Sequence, residues 1–300
     1  MKLGTRNSPL ALAQTQLVVS ALKAKFPVIE IETITIQTSG DRFQGERIAD
    51  AGGKALFVKE IEEALLKNEI DFAVHSLKDL PGFLPDDLTL CCYPKREDPR
   101  DCFLSKKFSS FEELPKAAKV GTTSPRRKAQ LLKLRPDLKI EPIRGNVETR
   151  LKKLETENFD AIILAAAGLR RLGRENVVTQ YFEPDVLIPA VGQGVLGIEI
   201  RKVDERLKAF LSSALNDETT ALTARAERAF LAACGGDCYT PLAGYAWIEN
   251  EALYMMAGLG NTEGTKFVRS QRSSKLDQPE KLGETLAKEV LNALTSHKTS

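Results

Sequence analysis

The sequence predicts an α/β protein, with two α/β domains flanking a cleft and a smaller C-terminal α+β domain. Three observations carry this. The order strand, glycine, hydroxyl residue, Ser-Pro, helix occurs at Gly4-Thr5-Arg6-Asn7-Ser8-Pro9 and again at Gly121-Thr122-Thr123-Ser124-Pro125-Arg126. Residues 161–165 form a continuous apolar run, suited to a parallel strand covered on both faces. After Asp204 the pattern turns helical, then gives three strand-like segments and a last amphipathic helix, as in an α+β unit.

In chain order, residues 2–5 read as a strand and Ser8-Pro9 opens a helix, because Pro at the first helical position has no N–H to leave unpaired. Leu10, Leu17, Val18, Ala21 and Leu22 would line its apolar face, and Pro27 ends it. The β-branched stretch 29–38 predicts a strand. Residues 39–53 are polar and glycine-punctuated, the mark of a functional or unstructured loop. A helix over 56–67 leads to a strand at 72–74, the motif His75-Ser76-Leu77-Lys78-Asp79-Leu80-Pro81, and a strand at 88–93. The charged segment 95–101 reads as a linker.

The second domain predicts strands at 119–121, 139–143 and 161–165, with helices opening at Ser124-Pro125 and over 147–154. Pro189-Ala190-Val191-Gly192-Gln193-Gly194 leads to a strand at 195–200. If that strand rejoins the first domain, two crossings make a hinged cleft. The resulting division is 1–98 with 195–214, 99–194, and 215–300. Helices broken near Asn216 precede strands at 245–248, 253–259 and 267–272 and a helix over 282–294.

Composition narrows the function. The 300 residues carry 43 basic and 41 acidic side chains, a net charge of +2, which argues against a broad nucleic-acid surface. No apolar run approaches the roughly 20 residues that cross a bilayer. The N-terminus lacks a secretory apolar core, so a cytoplasmic protein is expected. Five cysteines without such a signal argue against a disulfide framework, and two histidines give no zinc-like ligand set, so no metal is expected.

Cationic residues gather at strand-to-helix junctions: Arg6, Lys78, Arg126, Arg127, Arg144, Arg150, Arg170 and Arg171. Such junctions converge on the cleft of a parallel α/β sheet. Arg126 and Arg127 oppose the dipole of their own helix, which an anionic ligand would reconcile. A solvated face is the plainer alternative, and it suits Arg170 and Lys128. Neither a P-loop nor a dinucleotide fingerprint is present, so carboxylates are the better anion. Asp79 beside Lys78 could stabilise a cationic intermediate or accept N–H bonds, against the alternative of a surface carboxylate before a turn. In Cys234-Gly235-Gly236-Asp237-Cys238-Tyr239-Thr240-Pro241 a helix ends on glycines and Cys238 follows on a turn. That thiol is a packed hydrophobe, a redox or metal ligand, or an attachment point.

Taken together, these stretches resemble the porphobilinogen deaminase family. The resemblance rests on residues 5–12, Gly52-Gly53-Lys54-Ala55-Leu56-Phe57-Val58-Lys59-Glu60, the motif 75–81, Arg96-Glu97-Asp98-Pro99-Arg100-Asp101, residues 121–127, Arg144-Gly145-Asn146-Val147 and residues 189–194. It implies three domains, the first two like periplasmic binding proteins. It also implies a dipyrromethane cofactor joined by a thioether to Cys238. The implied activity condenses four porphobilinogen molecules head to tail, losing ammonia each time, and releases hydroxymethylbilane by hydrolysis.

By the same resemblance Asp79 is the catalytic carboxylate. The implied binding residues are Arg6, Ser76, Lys78, Thr122, Thr123, Ser124, Arg126, Arg127, Arg144, Gly145, Arg150, Arg171 and Gln193. Lys54 and Phe57 are read as lid residues, and the chain as a monomer whose partner is the small-molecule substrate. Two departures stand out. Asp237 separates the glycines from Cys238, which leaves Cys234 as an alternative attachment point, and Asp50 stands where some members carry lysine.

Overall fold

The computed structural model describes residues 1–42, 58–235, 240–261 and 265–296. Three sheets organise them. In the first, the strand order is β2 (Glu32–Ile36), β1 (Lys2–Arg6), β3 (Phe72–Ser76), β10 (Leu196–Arg201), β4 (Leu88–Cys92). β1 is parallel to β2 and β3, whereas β10 is antiparallel to both of its neighbours. Period-two alternation sends Leu3, Phe72, Val74, Ile198 and Ile200 to one face. There they meet Val18 and Leu22 of α1 (Pro9–Lys25) and Leu211 and Leu215 of α7 (Glu205–Leu215). Each such aliphatic side chain contributes about 1.5–3 kcal/mol on burial. The opposite face carries Ala73 against Ile61, Ala64 and Leu65 of α3 (Lys59–Leu66).

Ser8 caps α1 by accepting the Ala11 N–H at 3.2 Å, with Pro9 at the first position as the sequence predicts. The buried face differs from the one expected. It runs through Gln14, Thr15, Val18, Val19 and Leu22, while Leu17 is half-exposed. Apolar residues surround much of this helix, so the sheet decides which stripe is covered. The polar stretch after β2 begins with a short helix, α2 (Ser39–Arg42), whose first residue gives its backbone N–H to Glu60 Oε1 at 2.7 Å.

The second sheet has the order β7 (Lys139–Glu141), β6 (Lys119–Gly121), β8 (Ala161–Ala165), β5 (Asp101–Leu104), β9 (Gln180–Phe182). β6 is parallel to β7 and β8, and β5 runs antiparallel between β8 and β9. The short strand β9 has no counterpart in the sequence reading. α4 (Pro125–Leu134), α5 (Val147–Thr156) and α6 (Ala166–Arg171) follow β6, β7 and β8. The third sheet is the expected antiparallel meander, β11 (Leu242–Glu249), β12 (Ala252–Gly260), β13 (Phe267–Lys275). α8 (Glu218–Ala233) and α9 (Pro279–Ser296) cover it through Phe230, Leu282, Leu286 and Val290.

β10 does return to the first sheet, so the chain crosses between the two large sheets at residues 93–100 and again at 189–195. The crossings are tied together. Glu97 N–H donates to Gly194 O at 3.1 Å, and Arg96 Nε donates to Gln193 O at 2.9 Å. Gly194 has φ +87, and a Cβ there would strike the Glu97 carbonyl, so only glycine fits. The fully buried Glu227 of α8 joins this knot to the third sheet. It takes Arg96 Nη1 at 2.5 Å, Gly192 N–H at 2.6 Å and Ala246 N–H at 2.8 Å.

Candidate active site

The segments that follow one strand of each large sheet, β3 and β6, meet at one cleft, lined by Lys78, Asp79, Ser124, Pro125, Arg126, Arg127, Gln193, Thr240 and Leu242. A larger open groove lies among Met1, Lys2, Glu30 and Asp71, at the amino end of β1, away from where such sheets place ligands.

β3 delivers the first group. Beyond Ser76 the chain tightens into a 3-10 turn, Leu77–Asp79, anchored by Leu77 N–H on Val195 O at 3.0 Å. Leu77 is buried, and the turn presents Lys78 and Asp79 to the cleft. Burial lowers the Lys78 ammonium to about 8; Arg127 and Arg126 add to this, and Asp79 and Asp101 oppose it. Ser76 is held by Gln14 of α1, whose Nε2 donates to Ser76 Oγ at 2.8 Å.

β6 delivers the second group. Ser124 caps α4 by accepting Arg127 N–H at 3.4 Å, and Thr122 Oγ1 accepts Ser124 N–H at 3.2 Å. Arg126 and Arg127, expected as open anion binders, are also locked onto Asp101 at the start of β5. Arg126 Nη1 donates to Asp101 Oδ2 at 2.8 Å and to Ile188 O at 2.6 Å. Arg127 donates to Asp101 Oδ1 from Nη2 at 2.6 Å and from Nε at 3.1 Å, and to Ile163 O from Nη1 at 2.9 Å. Gln193 Nε2 completes the cluster at 2.9 Å from Asp101 Oδ1. Burial alone would raise the Asp101 carboxyl, but the two guanidiniums outweigh it and hold it well below the carboxylate range. The pair thus faces the cleft as a rigid, net cationic unit rather than as two mobile side chains.

The other arginines differ. Arg150 of α5 bonds Gly145 O at 2.8 Å; burial lowers it to about 10, with Arg127 adding and Asp79 opposing, so its charge is felt in the cleft. Gly145 sits at φ +114, where a Cβ would collide with Thr149. Arg171 is turned to the crossing, giving Nη2 to Gly194 O at 2.6 Å, and burial lowers it to about 10. Arg6 stands at the carboxyl end of β1, Thr122 is buried at the end of β6 beside exposed Thr123, and Arg144 is exposed before α5. None of these four lines the cleft wall itself. Arg170 is not a solvated bystander: it pairs with Glu97 at 3.0 Å and Asp98 at 3.2 Å of the first crossing.

Cys238 and Asp237, and the lid residues Lys54 and Phe57 with Asp50, lie outside the described residues. Before them in the chain, α8 ends as expected on glycine, with Gly235 at φ +59 donating its N–H to Ala232 O at 3.0 Å. Among the described residues no group of three or more His, Cys, Asp or Glu could hold a metal. Two contributors escaped the sequence reading, Asp101 and Gln14. Gln14 did leave a signal, a polar residue one turn from Leu10 on a helix face otherwise read as apolar.

Comparison with known proteins decides the family. Residues 1–209 match the family model described as porphobilinogen deaminase, dipyromethane cofactor binding domain, and residues 221–292 match its C-terminal domain. The chain belongs to the porphobilinogen deaminase family. A porphobilinogen deaminase of Geotalea uraniireducens is 47% identical over 291 residues, covering 97% of this chain and 91% of the relative. One from Bacillus subtilis is 49% identical over 288 residues, 96% and 91% of the two chains. Among solved structures, a lipoprotein of the YaeC family from Enterococcus faecalis aligns with TM-score 0.44 and 16% identity over 74% of this chain and 93% of that one. Among the described residues no helix is long and apolar enough to cross a membrane.

Proposed function

We propose that the chain condenses four porphobilinogen molecules head to tail, releasing ammonia at each addition, and frees hydroxymethylbilane by hydrolysis. The observation that carries this reading is one carboxylate, Asp79, set among Lys78, Arg126 and Arg127 in a cleft between two α/β sheets. Porphobilinogen bears an acetate and a propionate, so a growing chain of its rings is a polyanion with N–H donors along one edge. The donor set suits it: guanidinium and ammonium groups for the carboxylates, and a carboxylate acceptor for the pyrrole N–H groups.

The same donor set suits a dipyrromethane, which carries the same ring substituents. Bound through Cys238, that group supplies the pyrrole carbon from which the chain is extended. Lys78, Arg126, Arg127 and Arg150 would hold its carboxylates, with Ser124 and Gln193 along the wall. Arg6, Ser76, Thr122, Thr123, Arg144, Gly145 and Arg171 belong to the same binding set by family correspondence. Asp79 accepts the pyrrole N–H and stabilises positive charge as the ammonium group departs. Asp101 keeps the Arg126–Arg127 pair in place, so its positive field is set before substrate arrives.

The units doing this are 1–98 with 195–214, 99–194 and 215–300, in a cytoplasmic monomer that engages no nucleic acid. Intact-mass measurement tests the reading. The protein should carry a reductant-resistant adduct of two pyrrole rings, absent from Cys238→Ser. Unmodified wild-type protein would overturn the cofactor assignment, and an adduct surviving in Cys238→Ser would move attachment to Cys234.

A further inference from the structure

Cys91 and Cys92 take no part in the cleft. Neighbouring residues of a regular strand point to opposite faces, which would separate two adjacent thiols. Here they are brought together. The pairing of β4 with β10 slips between Ile198 and Glu199: Ile198 faces Cys92 while Glu199 faces Leu90, leaving Cys91 as the extra residue of a β-bulge. Both cysteines therefore pack against the same apolar cluster, and their sulfurs stand 3.8 Å apart. Cys92 is buried and Cys91 is half-buried, on a strand at the sheet edge. Ser212 of α7 fixes the bulge by donating to Cys91 O at 2.9 Å.

That separation has a chemical meaning. Two sulfurs bonded at about 2.3 Å to one centre stand roughly 3.3 to 3.8 Å apart, for bond angles from about 90° at a pyramidal centre to about 110° at a tetrahedral one. The pair stands at the long end of that range, so a small side-chain rotation brings the two sulfurs to one shared atom. A four-coordinate metal would need two further protein ligands, and the described residues offer no such group. A three-coordinate centre that brings one substituent of its own needs only these two sulfurs.

We propose that Cys91 and Cys92 form a vicinal dithiol site for monosubstituted trivalent arsenicals. With phenylarsine oxide the step balances without oxidation or reduction. Two As–S bonds form, two S–H bonds and the As–O bonding are broken, and the oxygen leaves as water with both thiol protons. The half-buried Cys91 reacts first, and Cys92 closes the ring within the same molecule. The hydrogen bond from Cys91, together with burial, raises the Cys92 thiol, so Cys92 is a poor target for reagents that need one free thiolate.

The test uses the cofactor-loaded protein with one equivalent of phenylarsine oxide, followed by excess 2-mercaptoethanol and intact-mass measurement. One adduct should survive, with the mass of one phenylarsine group less two hydrogens, and 2,3-dimercaptopropanol should strip it. Cys91→Ala should weaken retention about a hundredfold, since the second sulfur is captured only intramolecularly. Peptide mapping of the wild-type adduct should find arsenic on the fragment carrying Cys91 and Cys92, whatever the folding of the variant. Loss of the adduct to the monothiol, its retention in Cys91→Ala, or its location at Cys102, Cys234 or Cys238 would each overturn the proposal.

Discussion

Replacing Asp101 with Asn tests how the cationic wall of the cleft is held. Asp101 is fully buried, and Arg126 and Arg127 beside it are only 4% and 7% exposed. Its carboxylate accepts three guanidinium hydrogen bonds, at 2.6, 2.8 and 3.1 Å, and one from Gln193 at 2.9 Å. Asp101→Asn keeps the shape but takes the only anion from between two guanidiniums, so the buried cluster goes from one net positive charge to two. Removing one partner of a buried ion pair costs about 3–5 kcal/mol, because the remaining charge stays desolvated and unpaired. Against a typical total of about 5–15 kcal/mol, that is a large fraction of the stability. Urea unfolding should show the midpoint falling by that free energy divided by the slope, with the slope itself unchanged. A polycarboxylate should restore part of the loss, because it supplies the missing negative charge to the folded state alone. A loss under about 1 kcal/mol would refute the reasoning, since it would put the cluster in the class of solvent-screened surface pairs.

Asp79→Asn should retain the pyrrole adduct by mass yet lose about 10²–10³ in kcat, and near-normal turnover would remove Asp79 from the chemistry. Arg150→Ala should cost about 1.5–3 kcal/mol of charge-assisted contact, roughly 10- to 100-fold in substrate affinity. Unchanged affinity together with normal cofactor assembly would place Arg150 outside the binding set. Glu62 supplies a pH test. Burial first and Glu199 second raise its carboxyl from 4.5 to about 7, so the folded state favours the proton. The stability this gives is complete below the unfolded value and is lost as pH rises from there through about 7, about 3 kcal/mol in all. Glu62→Gln should flatten urea midpoints between about pH 5 and about pH 8, and an unaltered pH dependence would assign the effect to another group.

The site was legible in the sequence where one residue carries its own local signal. Ser8-Pro9 and Ser124-Pro125 announced the starts of α1 and α4, because capping and proline geometry are settled within four residues. Gly235 likewise marked the end of α8 through a left-handed backbone that glycine adopts freely. Alternation and turn residues located the third sheet, and the family motifs singled out Lys78 and Asp79. Other features were decided only in three dimensions. Asp101 looked like the end of a charged linker until β5 inserted it between two arginines from α4, a pairing across 25 and 26 residues of sequence. The stripe of α1 that became core depended on which side of the helix met the sheet. The nearness of Cys91 and Cys92 depended on a register slip against β10, a strand more than a hundred residues away. Capping, turns and periodicity are local free energies that a sequence carries by itself. Charge pairing, burial and register arise only when distant segments displace the same water, and those terms set Arg126 and Arg127 around Asp101 at the wall of the cleft.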